Sequence, residues 1–204
     1  AEQDQVDRSL PDCHVPRHLD NNHPATMGGL TFPHDTLAHR KDLLEAMKRV
    51  AEVFEEHREA FNTEFGREGH GVVTRYRTED ADTLFITSGS ISTTMKKVID
   101  KRRERGDKVG MVRVKMFRPF PVDDIREVCA GAKKVGVLDR NCAADRGGIF
   151  WQEICAAMQG QGHPLIQGYL TGVGGSDMVP RTVHEVVDDL LERTEVGEPV
   201  WKGM

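Results

Sequence analysis

The chain is poor in the features that usually announce a function. Its four cysteines, Cys13, Cys129, Cys142 and Cys155, are scattered and never fall in a Cys-x-x-Cys pair. An iron–sulfur cluster needs several thiolates at close intervals, so this chain alone does not supply one. Such scatter suits a reducing, cytoplasmic setting. No apolar run approaches the ~20 residues that cross a bilayer. No Gly-Lys-Ser/Thr follows a glycine-rich loop, and no glycine spacing matches a dinucleotide fingerprint. There is no large excess of one charge: 28 Lys and Arg against 33 Asp and Glu leave −5, with both signs mixed along the chain. That balance argues against an extended nucleic-acid surface. No repeat of solenoid length appears, and residue order defines no Ser/His/Asp triad; His163 and His184 stand without a paired nucleophile. The opening Ala1-Glu2-Gln3-Asp4 is polar rather than a secretory leader and has no initiator Met. A processed subunit or a fragment of a longer polypeptide is the expectation.

What is present is an α/β pattern. With 38% apolar and 30% charged residues, 204 residues suffice for one domain with an appendage, or two small domains, and for a sizeable core. Between Ala81 and Arg140 an apolar run Leu84-Phe85-Ile86 is followed by a helical segment Ile91 to Arg105, which Gly106 stops. A second run, Val109 to Met116, a short helix Val122 to Ala130 and a third run, Val135 to Leu138, complete the stretch. Strand, helix, strand, helix, strand predicts a three-layer, mostly parallel sheet with right-handed crossovers. A helix Ile149 to Met158, with Ile149, Trp151, Ile154 and Met158 buried, leads to a fourth strand, Leu165 to Leu170. A last helix buries Val183, Val186, Val187, Leu190 and Leu191, and Trp201 in the tail is a candidate anchor on a partner.

The first 79 residues read differently. Ala1 to Pro33 has little periodicity and carries Pro11, Pro16, Pro24 and Pro33, so an extended segment is expected. Cys13 and His14 match no zinc spacing, and a polar loop is the simpler reading. A long helix from Asp35 or Thr36 to Phe65 follows, with Leu43, Met47, Val50, Phe54, Phe61 and Phe65 on one stripe and Gly66 as its stop. A single stripe needs a partner surface. The domain boundary is placed near Glu79, giving 1–79 as extended segment plus helix and 80–204 as the sheet domain, with Val72 to Tyr76 as a short strand in the connector.

Three loops at strand ends are candidates for chemistry. Ser88, Gly89 and Ser90 join a strand to a helix start, where exposed N–H groups and the helix dipole suit an anion. Tight packing with N-capping by Ser90 or Ser92 is the alternative. Gly174 and Gly175, within Gly172-Val173-Gly174-Gly175, permit close approach of a cofactor or neighbouring subunit, or serve packing alone. Arg118 either holds a carboxylate or phosphate bidentately or pairs with Asp139 at the neighbouring strand end.

Six segments occur in order: Asp80-Ala81-Asp82, Ser88-Gly89-Ser90, Gly110-Met111-Val112, Phe117-Arg118-Pro119-Phe120-Pro121, Val137-Leu138-Asp139-Arg140 and Gly172-Val173-Gly174-Gly175-Ser176-Asp177. With Asp20 to Gly29 and Glu64-Phe65-Gly66-Arg67, this set resembles the C-terminal part of the α chain of pyruvate:ferredoxin oxidoreductase and related 2-oxoacid:ferredoxin oxidoreductases, from about Leu19 to Leu191. The resemblance implies a fold of the transketolase C-terminal type. It implies complexes that use thiamine diphosphate, Mg2+ and iron–sulfur clusters to convert a 2-oxoacid and CoA to acyl-CoA and CO2, passing electrons to ferredoxin. Thiamine diphosphate sites of that superfamily carry Gly-Asp-Gly followed by an Asn pair, whereas here Gly106-Asp107-Lys108 differs and Asn21-Asn22 comes before it. No catalytic residue is therefore assigned, no cofactor is expected on this chain alone, and its partners are expected to be other subunits or domains of the complex, with no nucleic acid and no membrane. The expected role is structural. A Rossmann-like nucleotide- or CoA-binding module is the alternative, as is the C-terminal domain of a 2-oxoacid dehydrogenase E1 β chain, although Phe117 to Pro121 favours the ferredoxin-linked branch. Calorimetry on the isolated chain with magnesium is expected to show no micromolar binding of thiamine diphosphate; a saturable heat in that range would contradict the motif argument.

Overall fold

The structure is a computed structural model that describes every residue except Pro11, Pro16, Arg17, Met27, His163 and Met204. The chain divides into two compact units, Ala1–His70 and Gly71–Met204.

In the first unit, α1 (Gln3–Ser9) replaces the extended start expected from the sequence. Its contacts are polar, which is why no apolar period announced it. The Glu2 N–H donates to Gln5 Oε1 at 2.9 Å, and Arg8 reaches Glu64 on α3 (Val50–Phe65) at 2.8 Å. The expected single long helix is two, α2 (Pro33–Met47) and α3. The N–H of Lys48 bonds back to the Glu45 carbonyl at 3.3 Å and that of Arg49 to Ala46 at 3.1 Å, a tighter turn that interrupts the ladder without Gly or Pro. Gly66 ends α3 in the left-handed region, at φ 58. No residue of these three helices is buried.

The second unit is a six-stranded sheet in the order β1-β3-β2-β4-β5-β6. Its strands are β1 (Val73–Tyr76), β2 (Thr83–Thr87), β3 (Val109–Val114), β4 (Lys134–Asp139), β5 (Leu165–Leu170) and β6 (Val200–Trp201). All neighbours are parallel except β1, which lies antiparallel on β3 with Val73 opposite Val114. Because β1 belongs to the sheet, the division falls at His70/Gly71 rather than at 79. Trp201, a candidate partner anchor, pairs with Leu170 in β6 and stays 44% exposed.

Helices cover both faces. α4 (Ile91–Arg103) and α7 (Pro180–Glu192) enclose one core with Phe85, Met111, Leu138 and Tyr169. α5 (Val122–Cys129) and α6 (Ile149–Ala157) enclose the other with Leu84, Ile86, Val112 and Val137. The near-continuous apolar strands follow from burial on both sides. α6 starts at Ile149 as expected, and Ile154 and Met158 are buried, but Phe150 rather than Ile149 faces the core: Ile149 is 45% exposed and Trp151 half-buried.

Arg102 of α4 fastens α4 to α7. It is 7% exposed, and its guanidinium donates to His184 Nδ1 at 3.0 Å and to Asp188 at 2.5 Å. Burial, then the Arg102 charge, holds the His184 pKa below its usual 6.5. The unfolded chain therefore takes up this proton first as pH falls, and the contribution of His184 to stability drops from about pH 6.5 downward until the folded site also protonates. Melts across pH 7.5 to 5 are expected to decline more steeply for the wild type than for His184→Gln; equal slopes would show that His184 is not the titrating group.

Candidate functional site

From β2, one crossover runs through α4 to β3 on one side, and the next returns through α5 to β4 on the other. The winding therefore reverses between the carboxyl ends of β2 and β4, where open α/β sheets characteristically leave a crevice. Here that crevice measures about 550 Å³. Ser88, Gly89, Ser90, Asp139 and Arg140 line its polar side, and Phe117, Ile149 and Phe150 its apolar side.

The polar side is built by the chain ends of the strands. Gly89 takes φ 59, which lets the backbone turn directly from β2 into α4. Neither serine caps α4 with an accepting oxygen. Ser90 occupies the N-cap without a side-chain cap bond, and the Ser92 hydroxyl donates to the Gly89 carbonyl at 2.6 Å. Ser90 Oγ instead accepts from Arg140 Nη1 at 3.3 Å, while Arg140 Nε donates to the Gly172 carbonyl at 3.2 Å. Arg140 thus draws the loops after β2, β4 and β5 together. Gly174 and Gly175, at φ 70 and 91, lie in the short 3-10 turn beyond Gly172 and do not line the crevice.

Asp139 is 2% exposed and does not pair with Arg118. It caps α6 across space. Its carboxylate accepts the N–H of Phe150 at 3.0 Å and of Trp151 at 2.9 Å, and Asn141 Nδ2 at 3.1 Å. Asn141 Oδ1 in turn accepts the N–H of Ile149 at 3.0 Å. The first donors of α6 are therefore satisfied by Asp139, which ends β4, and by Asn141 two residues beyond it. Burial raises the Asp139 pKa, and the three hydrogen bonds oppose that rise without overcoming it. A Cβ on Gly148 would lie 1.9 Å from Asp139 Oδ2, so only glycine fits beneath the carboxylate. Arg118 pairs with Glu153 of α6 at 2.5 Å and stacks over Phe117 at 4.3 Å. The pair expected from the sequence fails because Asp139 is already saturated from within its own crossover.

Sequence reasoning thus found the two sides of the crevice but missed Arg140 as the residue that joins them; its position directly after the Asp139 strand end was the available signal. A larger groove of about 1030 Å³ lies along α6 and β6, walled by Trp151, Trp201, Cys142 and Cys155. Among the described residues no three His, Cys, Asp or Glu side chains gather as metal ligands. His163 lies outside the described residues. Cys129 is buried in the α5/α6 core, and that burial pushes its thiol up to about 12, away from the thiolate a metal would need.

Topology and crevice define a doubly wound α/β domain with a switch-point cleft. Residues 81–186 match the pyruvate:ferredoxin oxidoreductase core domain II family, and the chain belongs to that family. It is 34% identical over 204 residues to pyruvate synthase subunit PorA of Methanothermobacter thermautotrophicus, covering 99% of this chain and 51% of that protein. It is 32% identical over 202 residues to ketoisovalerate oxidoreductase subunit VorA of Pyrococcus horikoshii, covering 96% and 50%. The chain thus spans about half the length of the curated relatives it matches. A solved 2-oxoglutarate:ferredoxin oxidoreductase from Magnetococcus marinus aligns with TM-score 0.48 and 23% identity over 67% of this chain and 23% of that one.

Two substitutions separate the roles of the strand-end residues. Asp139→Ala leaves buried donors of α6 without an acceptor and is expected to cost at least about 1–3 kcal/mol. Arg118→Ala removes a largely exposed pair and is expected to cost about 0–1 kcal/mol. Urea unfolding of both variants checks the order; a larger loss for Arg118→Ala would reverse it.

Proposed function

We propose that this chain is an assembly portion of a thiamine-diphosphate-dependent 2-oxoacid:ferredoxin oxidoreductase, contributing scaffold and interface rather than reacting groups. The whole enzyme would convert a 2-oxoacid, CoA and oxidised ferredoxin to acyl-CoA, CO2 and reduced ferredoxin. Thiamine diphosphate, Mg2+ and iron–sulfur clusters would be held by other subunits or domains. Pyruvate and ketoisovalerate, named in the relatives, are the substrate types to test first.

The observation that carries this reading is the first unit. Its three helices bury no residue, and Leu37, Leu43, Leu44 and Phe61 expose apolar surface. An exposed apolar surface of that kind marks an interaction site. The extent of the chain relative to its relatives supports the same reading, as does the name "subunit" that those relatives bear. A second reading, a CoA- or nucleotide-binding module, is favoured by the switch-point crevice alone, with Arg140 on one wall and Phe117 and Phe150 on the other.

Native mass measurement of the protein from its source separates the two. An assembly containing iron and thiamine is expected, and a monomer free of both would overturn the assembly reading. A chain starting at Gly71, which keeps β1 on the sheet, is expected to melt cooperatively while losing association with the other chains of the complex. Undiminished association of that shortened chain would show that Ala1–His70 is not the assembly element.

A further inference from the structure

The α4/α7 face of the sheet is apolar along most of its length and changes character at the carboxyl ends of β2 and β3. Phe85 and Met111 are followed, two residues on, by Thr87 and Arg113 on the same face. Thr87 lies opposite Arg113 in the β2/β3 register, and Thr74 lies opposite Arg113 in the β1/β3 register. Three polar side chains therefore form one row across three adjacent strands, Thr74, Arg113 and Thr87.

One buried polar atom of each residue in that row has no partner. Thr87 is 0% and Thr74 9% exposed, yet neither hydroxyl makes a hydrogen bond, and Arg113 Nε is buried and likewise unpaired. These are three of the four buried side-chain polar atoms without a partner among the described residues. Buried polar groups are normally satisfied, and a half-buried guanidinium normally faces a carboxylate. Asp100 of α4 is engaged by Tyr76 Oη at 2.8 Å and by Arg77 Nε at 2.7 Å. Thr87 also leads directly through Ser88-Gly89-Ser90 into the amino terminus of α4, whose dipole favours negative charge.

We infer that Thr74, Arg113 and Thr87 form a binding site for one oxyanion, a carboxylate or phosphate group, with Arg113 gripping it and the two threonine hydroxyls donating to it. A guanidinium presents paired donors to such a group, and hydroxyls can turn their protons toward it. The site is on the opposite face of the sheet from Phe117 and Phe150, and it is independent of the assembly reading.

The test uses the full chain, titrated with inorganic phosphate and separately with acetate against chloride at equal ionic strength, read by melting temperature and by the Arg113 Nε–H resonance. A saturable rise in melting temperature with a matching movement of that resonance is expected for at least one anion. Saturation at lower concentration by phosphate assigns a phosphate group, and by acetate a carboxylate. Arg113→Met is expected to remove the response, and Thr74→Val with Thr87→Val to raise the apparent Kd at least tenfold. The inference is overturned if neither anion moves the Arg113 resonance, or if a folded Arg113→Met chain responds as the wild type does. The resonance decides the matter if Arg113→Met does not fold.

Discussion

The Asp139 carboxylate joins the end of β4 to the start of α6, and the geometry of the crevice depends on it. A helix of nine residues is marginal on its own, and its first N–H groups need acceptors wherever it begins. By accepting two of them, with Asn141 taking a third, the strand end dictates where α6 starts and which of its residues face inward. Phe150 then packs into the core beside Phe120, and Ile149 is left at the mouth. Gly148 must be glycine because the carboxylate occupies the space a side chain would take.

Charge at the carboxyl edge of the sheet is distributed by what each cation is given to hold. Arg118 is committed to Glu153 and Phe117, and Arg140 to Ser90 and Gly172. Both organise loops. Arg113, between two buried threonines, has its buried Nε left without a partner. The two faces of one sheet end therefore differ, one an apolar-walled crevice bridged by Arg140 and the other a row of unspent donors.

The residues that match the core domain II family, 81–186, lie within the sheet-bearing second unit. The thiols are dispersed between the two units, and the one in the α5/α6 core is held protonated by burial. Stability in the second unit comes from two apolar layers on a sheet buried on both faces, whereas the helices of the first unit bury none of their residues. Such a division suits a chain whose apolar helical surfaces are completed by something else.

The sequence by itself determined the order and type of the main sheet elements, because short apolar runs alternating with amphipathic helices have few other solutions. It also determined that the loops after β2, β3 and β4 would gather at one edge, since parallel strands place their ends together. Tertiary structure alone decided the partners. Arg118 and Asp139 are complementary in charge and adjacent in topology, yet each is satisfied by α6, and spacing along the chain carries no trace of that competition. The polar helix α1 and the break at Lys48 were invisible for a related reason: neither depends on hydrophobic period or on Gly and Pro. Thr74, Thr87 and Arg113 look like ordinary strand residues in sequence, and only the register across β1, β3 and β2 sets them side by side.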